Sequence, residues 1–195
     1  MTGRAVFLDR DGVINEKAPE GDYVKSWREF RFLPHTQEAI RRLKDHHFTV
    51  IVVTNQRGIA LGRMTEEDLT DIHRRMQAEL ELAGANVNAL YYCPHDLGAC
   101  RCRKPDVGMF LAARRDFPGI DLNQSFLVSD SIKDLRAATR LGSRKVLIAQ
   151  PTSSTWGQRS LGQSQPDFLA GSLSEAEGNF LLRWPTAIRG QLRLP

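Results

Sequence analysis

Asp9 and Asp11 stand one residue apart at the end of an apolar run, in Ala5-Val6-Phe7-Leu8-Asp9-Arg10-Asp11-Gly12. A buried strand has no use for two carboxylates at its tip, whereas a reacting site has. One aspartate can attack phosphorus and carry the phosphoryl group as an aspartyl-phosphate. The other can protonate the leaving oxygen and then deprotonate the water that hydrolyses the intermediate. For that its carboxyl has to titrate above the ordinary value of about 3.9. Gly12 lets the backbone turn sharply beside them. A third carboxylate, Asp130, follows another apolar run, with Asp134 four residues on. Asp9, Asp11 and Asp130 together make a hard oxygen site suited to Mg²⁺. The Thr54 hydroxyl and the Lys104 ammonium suit a phosphate beside it.

A second constellation reads Cys93-Pro94-His95-Asp96-Leu97-Gly98-Ala99-Cys100-Arg101-Cys102. It holds all three cysteines of the chain. Three sulfurs and one imidazole form the closed tetrahedral set that structural Zn²⁺ prefers, with no position left open for catalysis. Such a site would pin the loop that delivers Arg103 and Lys104.

These residues have to be positioned, and the hydrophobic pattern says by what. Apolar runs at Val6–Leu8, Phe48–Asn55, Asn88–Cys93, Ser125–Asp130 and Lys145–Ala149 read as buried strands. Between them, residues at three-and-four spacing mark helices over Thr36–His47, from an N-cap at Thr65 to Gly84, over Gly108–Phe117, and from Ile132 to Gly142. Strand-helix alternation without in-out alternation predicts an α/β fold, a Rossmann-like parallel sheet with helices on both faces. Ligands then sit beyond the carboxyl ends of the strands, where Asp9, Thr54, Asn55, Gln56, Asp130 and the segment carrying Lys104 converge.

The chain has 195 residues and 41% hydrophobic content, read as one domain over 1–195 with its core at 4–149. Residues 150–166 are rich in Ser, Gln and Gly and read as a loop. Residues 167–195 are expected to give an edge strand, a short helix and a tail. The gaps Gly12–Phe48 and Arg57–Tyr92 each hold one helix and its loops, so no large cap domain is expected. A net charge of +4 fits an anionic small molecule. No basic stripe with interleaved aromatics points to nucleic acid, and no apolar stretch is long enough to cross a membrane. The start lacks a signal-peptide layout, so a cytoplasmic protein is expected, with a monomer as the simplest state. His73 lies beside the apolar stripe of its helix and is expected only to pack there.

The four motifs in this order, Asp-x-Asp-Gly, Val-Val-Thr-Asn-Gln, the lysine and Ser-Asp-Ser-Ile-Lys-Asp, resemble the haloacid dehalogenase (HAD) phosphatases over Arg4–Ala149. The resemblance implies that Asp9 is the nucleophile and Asp11 the general acid and base. It implies that Thr54 and Lys104 hold the phosphoryl group. Asp9, Asp130 and the Asp11 carbonyl would hold Mg²⁺, with Asp134 behind them. Arg10, Gly21, Tyr23, Asn55, Gln56 and Arg103 fall to the substrate. The chain departs from this branch at Ser129-Asp130-Ser131, where Gly-Asp is more usual. The Cys/His spacing is similar to that of the zinc-bearing HAD subgroup, which implies a phosphorylated sugar or a related phosphoester. "DRDGVIN" and "TNQRGIALGRMTEEDL" look closer to its heptose 1,7-bisphosphate 7-phosphatases, and the short His95-to-Cys100 spacing to its histidinol-phosphate phosphatases. A zinc-stabilised nucleic-acid-binding module without catalysis is the reading from another class.

Overall fold

The computed structural model describes residues 3–149 and 165–184. Of the loop expected over 150–166, residues 150–164 lie outside the described residues, as does the end of the tail, 185–195. Six parallel strands form one sheet in the order β3-β2-β1-β4-β5-β6. They are β1 Ala5–Leu8, β2 Thr49–Asn55, β3 Ala89–Cys93, β4 Phe126–Ser129, β5 Arg144–Ile148 and β6 Phe168–Ala170. The helices between them are α1 Thr36–Asp45, α2 Glu66–Leu82, α3 Gly108–Asp116 and α4 Ile132–Leu141, with a short α5 Leu173–Ala176 after β6.

The strands read as continuous apolar runs because both faces are covered. Along β1, Val6 and Leu8 join a core shared with α1, α2 and α5, represented by Ile40, Ile72, Met76 and Leu173. Ala5 and Phe7 point the other way, into a core with α3 and α4 around Phe110, Leu135 and Ala138. The Phe7 and Phe110 rings meet edge to face at 5.0 Å. Successive residues alternate between two cores, so no position is left for a polar side chain until the strand ends.

Element ends follow local chemistry. Thr65 caps α2 reciprocally with Asp68: the Asp68 amide donates to the Thr65 hydroxyl at 3.1 Å and the Thr65 amide to the Asp68 carboxylate at 2.9 Å. The first helix stops at Asp45, two residues short of the reading, and His47 follows in the left-handed region with φ of 61°. β5 begins one residue earlier than expected because Arg144 pairs with Phe126. The expected edge strand and short helix are present as β6 and α5. Trp184, to which the sequence assigns no partner, packs on Phe180 at 5.1 Å and lies under the Arg144 guanidinium. Among the described residues, the β1–β2 and β2–β3 connections carry one helix each, and no helix is long and apolar enough to cross a membrane.

The strand order reverses between β1 and β4. β1 leads outward through β2 and β3, and the chain then returns to β1's other side. That switch point opens a crevice at the carboxyl ends of β1 and β4, where Asp9 and Asp130 stand. The amino end of β1 is held by buried Ser125, whose hydroxyl accepts from the Ala5 amide at 3.0 Å and donates to the Asp121 carbonyl at 2.7 Å. Ser125→Ala leaves that buried amide without a partner and is expected to cost about 1–3 kcal/mol in chemical denaturation. An unchanged midpoint would contradict this role for the hydroxyl.

Candidate active site

Asp9 follows directly on β1, its amide still donating to the Val128 carbonyl of β4 at 2.9 Å. Its carboxylate is fully engaged. One oxygen accepts from the Arg10 amide at 2.9 Å; the other meets the Lys104 ammonium at 2.7 Å and the Ser129 hydroxyl at 3.1 Å. Ser129, the departure from the more usual glycine, is wholly buried and supplies a hydrogen bond to Asp9, and its oxygen also accepts from the Ser131 amide. Burial pushes the Asp9 carboxyl up to about 7, with Lys104 opposing and the Asp134 and Asp130 charges adding to the rise.

Lys104 has a wholly buried side chain and satisfies three donors with three acceptors. They are Asp9, Asp134 at 3.0 Å and the Val53 carbonyl of β2 at 2.9 Å. Burial lowers its pKa, but the Asp9 and Asp134 charges outweigh that and raise it. The lysine reaches this place because Asn55 grips its backbone on both sides: the Lys104 amide donates to Asn55 Oδ1 at 3.0 Å and Asn55 Nδ2 to the Lys104 carbonyl at 3.2 Å.

Asp11 differs from expectation. Its carboxyl is lowered, not raised. Burial favours the neutral acid, but the Arg10 charge and hydrogen bonds from Asn15, Arg10 and Gln56 outweigh it. The Arg10 guanidinium forks onto both carboxylate oxygens at 2.8 and 3.0 Å, Asn15 donates at 2.9 Å and Gln56 at 2.9 Å. Arg10, Asn55 and Gln56 were expected at the substrate; their polar groups are instead spent on the protein. Arg10 is wholly buried. Gln56 bridges Asp11 to the Thr54 hydroxyl at 2.8 Å. These three side chains therefore hold Asp11, Thr54 and Lys104 in place.

Gly21 and Tyr23 lie on a loop clasped to the one after β2. Arg63 donates to the Gly21 carbonyl at 2.9 Å, and the Tyr23 ring packs on Gly58. Arg103, the residue before Lys104 in the chain, keeps a buried guanidinium nitrogen, Nη1, without a hydrogen-bond partner. Sequence reasoning missed Asn15 and Lys17. Lys17 pairs with Asp130. Neither carries a motif: a buried asparagine and a half-exposed lysine are ordinary outside this context.

The Cys93, His95, Cys100 and Cys102 ligand atoms all lie within 4.8 Å of one another and could hold a metal ion. The sulfur pairs are 3.5 and 3.2 Å apart, and His95 turns Nδ1 to Cys93 and Cys102 at 3.6 and 3.3 Å. Tetrahedral Zn²⁺ with its usual bond lengths needs edges of about 3.4–3.8 Å. The loop packs tightly on the start of α3: a Cβ on Gly108 would lie 2.6 Å from the Arg101 carbonyl.

Comparison with known proteins agrees in direction. The family model described as polynucleotide kinase 3 phosphatase matches residues 5–146. The D-glycero-alpha-D-manno-heptose-1,7-bisphosphate 7-phosphatase of Mycobacterium bovis is 40% identical over 68% of this chain and 70% of its own. The corresponding beta enzyme of Photorhabdus laumondii is 39% identical over 74% of this chain and 79% of its own. The crystal structure of D,D-heptose 1,7-bisphosphate phosphatase from B. bronchiseptica, complexed with magnesium and phosphate, superposes with a TM-score of 0.81. It is 33% identical and covers 91% of this chain and 98% of its own.

Gly12 is the tightest point of the site. Its φ is +82°, and a Cβ there would lie 2.1 Å from an Asp130 oxygen and 2.9 Å from Lys17. Gly12→Ala is expected to cost about 1–3 kcal/mol through backbone strain alone, which in a chain of this size lowers the melting temperature by about 2–12 °C. Melting at the wild-type temperature would contradict the packing described.

Proposed function

The chain belongs to the haloacid dehalogenase phosphatases, in the family described as polynucleotide kinase 3 phosphatase. From that membership we propose that it is a Mg²⁺-dependent phosphatase removing the 7-phosphate of D-glycero-D-manno-heptose 1,7-bisphosphate through an aspartyl-phosphate. The observation that carries the reading is the pairing of Asp9 with a buried lysine at 2.7 Å at the sheet's switch point, with the Asp11 carboxyl two residues on.

In the first half-reaction an Asp9 carboxylate oxygen forms a bond to phosphorus as the bond to the sugar oxygen breaks. A proton from Asp11 goes to that departing oxygen. In the second, water attacks phosphorus, its proton returns to Asp11, and the bond between phosphorus and Asp9 breaks to release inorganic phosphate. Asp11 acts from within the Arg10 fork, which aims its carboxyl at the sugar oxygen, and the negative charge of the arriving phosphoryl group offsets the guanidinium that holds its pKa down. Lys104 and Thr54 hold the phosphoryl oxygens, and the unpartnered Arg103 nitrogen supports a contact to a substrate anion.

The donor set fits Mg²⁺. Asp9 and Asp130 offer hard carboxylate oxygens, the Asp11 carbonyl a third, and the Lys17 ammonium already lies against Asp130 as a cation would. Bound there, the ion would offset the charge of phosphoryl group and carboxylates. Cys93, His95, Cys100 and Cys102 would hold Zn²⁺ structurally, fixing the loop that carries Arg103 and Lys104. The four-residue gap between His95 and Cys100 favours histidinol phosphate as the second reading.

Phosphate release from both anomers of the heptose bisphosphate, histidinol phosphate and a 3′-phosphorylated oligonucleotide, with Mg²⁺ and with EDTA, separates these substrates. The expected result is metal-dependent release with the highest kcat/KM on the heptose bisphosphate. Preference for another ester would move the substrate and keep the mechanism. Asp9→Asn should abolish turnover while the fold persists, and wild-type-like turnover would sink the mechanism. Metal analysis should find about one Zn²⁺ per chain. Cys100→Ser should lose zinc and melt earlier; a full zinc complement with unchanged melting would refute the ligand set.

A further inference from the structure

Arg10 clamps Asp11, and one further group holds Arg10. The Arg10 Nη1 lies 3.3 Å from Nε2 of His73, on α2. A guanidinium only donates, so this imidazole nitrogen accepts and His73 carries its hydrogen on Nδ1. The ring is also placed against Tyr92 of β3, with ring centroids 6.0 Å apart. A chain of contacts thus runs from β3 and α2 through a wholly buried arginine to the carboxyl that must move a proton. His73 was expected only to pack; its contact is to the one side chain that grips Asp11 with a two-pronged fork.

We propose that His73 is a positioning residue for the proton transfer: by accepting from Arg10 Nη1 it fixes the guanidinium so that its other two nitrogens face Asp11. This inference rests on the phosphatase reading above. Three observations support it. Nε and Nη2 of Arg10 both donate to Asp11, at 3.2 and 2.8 Å, so Nη1 is the nitrogen left for a partner on the far side. An arginine with no exposed surface needs its donors met, or it rotates to find other acceptors. Burial, and then the Arg10 charge, lower the His73 pKa to about 3, which keeps the imidazole a neutral acceptor.

The role has a chemical signature that packing lacks. An alkyl phosphate needs its leaving oxygen protonated, and 4-nitrophenyl phosphate, with a good leaving group, scarcely does. kcat/KM reports the steps through formation of the phospho-enzyme, where Asp11 acts as acid. His73→Phe keeps a ring and removes the acceptor. His73 also lines a surface cavity of about 380 Å³ with Thr70, Gln77 and Leu90, which gives a larger ring room. His73→Gln restores an acceptor at similar reach.

The experiment measures kcat/KM of wild type and both variants on the heptose bisphosphate and on 4-nitrophenyl phosphate. His73→Phe is expected to lose about tenfold or more on the sugar ester and less than about threefold on the nitrophenyl ester. His73→Gln should lie near wild type on both. Equal losses on the two esters, or no recovery in His73→Gln, would overturn the inference and leave His73 as packing alone. Nitrogen NMR of the wild-type chain supplies a test without variants. The expected signal is a neutral Nδ1–H imidazole at neutral pH; an imidazolium or an Nε2–H tautomer would overturn it. A wild-type chain that hydrolyses neither ester would instead overturn the phosphatase reading, and this inference with it.

Discussion

The Lys104 ammonium, sealed from solvent, is the constraint around which this molecule is arranged. An isolated buried charge costs on the order of several kcal/mol, so it persists only where every donor is met. Here the acceptors come from three elements: Asp9 beyond β1, the Val53 carbonyl in β2 and Asp134 in the first turn of α4. The same contacts that satisfy the lysine hold those three elements in register around the crevice. The Cys/His loop and the Asn55 clamp follow from this need. Lys104 sits on a loop, and a loop places an ammonium accurately only when its backbone is fixed on both sides.

The sheet order supplies the place. With β1 and β4 central and the chain winding away from them in opposite directions, a crevice opens above their ends. β1 is apolar to its last residue and β4 as far as Val128 because two cores claim alternate side chains, and the polar residues that follow, Asp9, Ser129 and Asp130, stand at the crevice. Around them the carboxyls differ in environment. Asp9 is driven toward its neutral form by burial and by neighbouring carboxylates, while Asp11 is held charged by an arginine and two amides. Two aspartates one residue apart thus acquire opposite tendencies, set by their neighbours and not by their spacing, and the charges of a bound cation and phosphoryl group would push each the other way.

Much of this was legible in the sequence because it rests on pattern. Apolar runs and three-and-four spacing located five strands and four helices, and residue type with position at strand ends gathered Asp9, Thr54, Lys104 and Asp130 at one rim. The Cys/His spacing gave a cluster whose ligand atoms do converge. What pattern does not encode is the direction of a side chain. Arg10 lies between Asp9 and Asp11 yet turns inward to grip Asp11. Asn55 and Gln56 follow Thr54 yet spend their amides on Lys104 and Asp11. The Asp11 carboxyl was expected above its ordinary value from its catalytic task; its neighbours decide otherwise, and one of them, Asn15, carries no motif. The His73 contact with Arg10 spans 63 residues of chain and leaves no trace in local spacing.

The central claim is that Asp9 forms a covalent bond to phosphorus. The most direct measurement is to quench the enzyme during turnover, reduce with borohydride and map the modified residue by peptide mass spectrometry. An aspartyl-phosphate is reduced to homoserine, so the account predicts homoserine at position 9, formed only when substrate and Mg²⁺ are present. An unmodified Asp9 under conditions of active turnover, or homoserine at another aspartate, would contradict it.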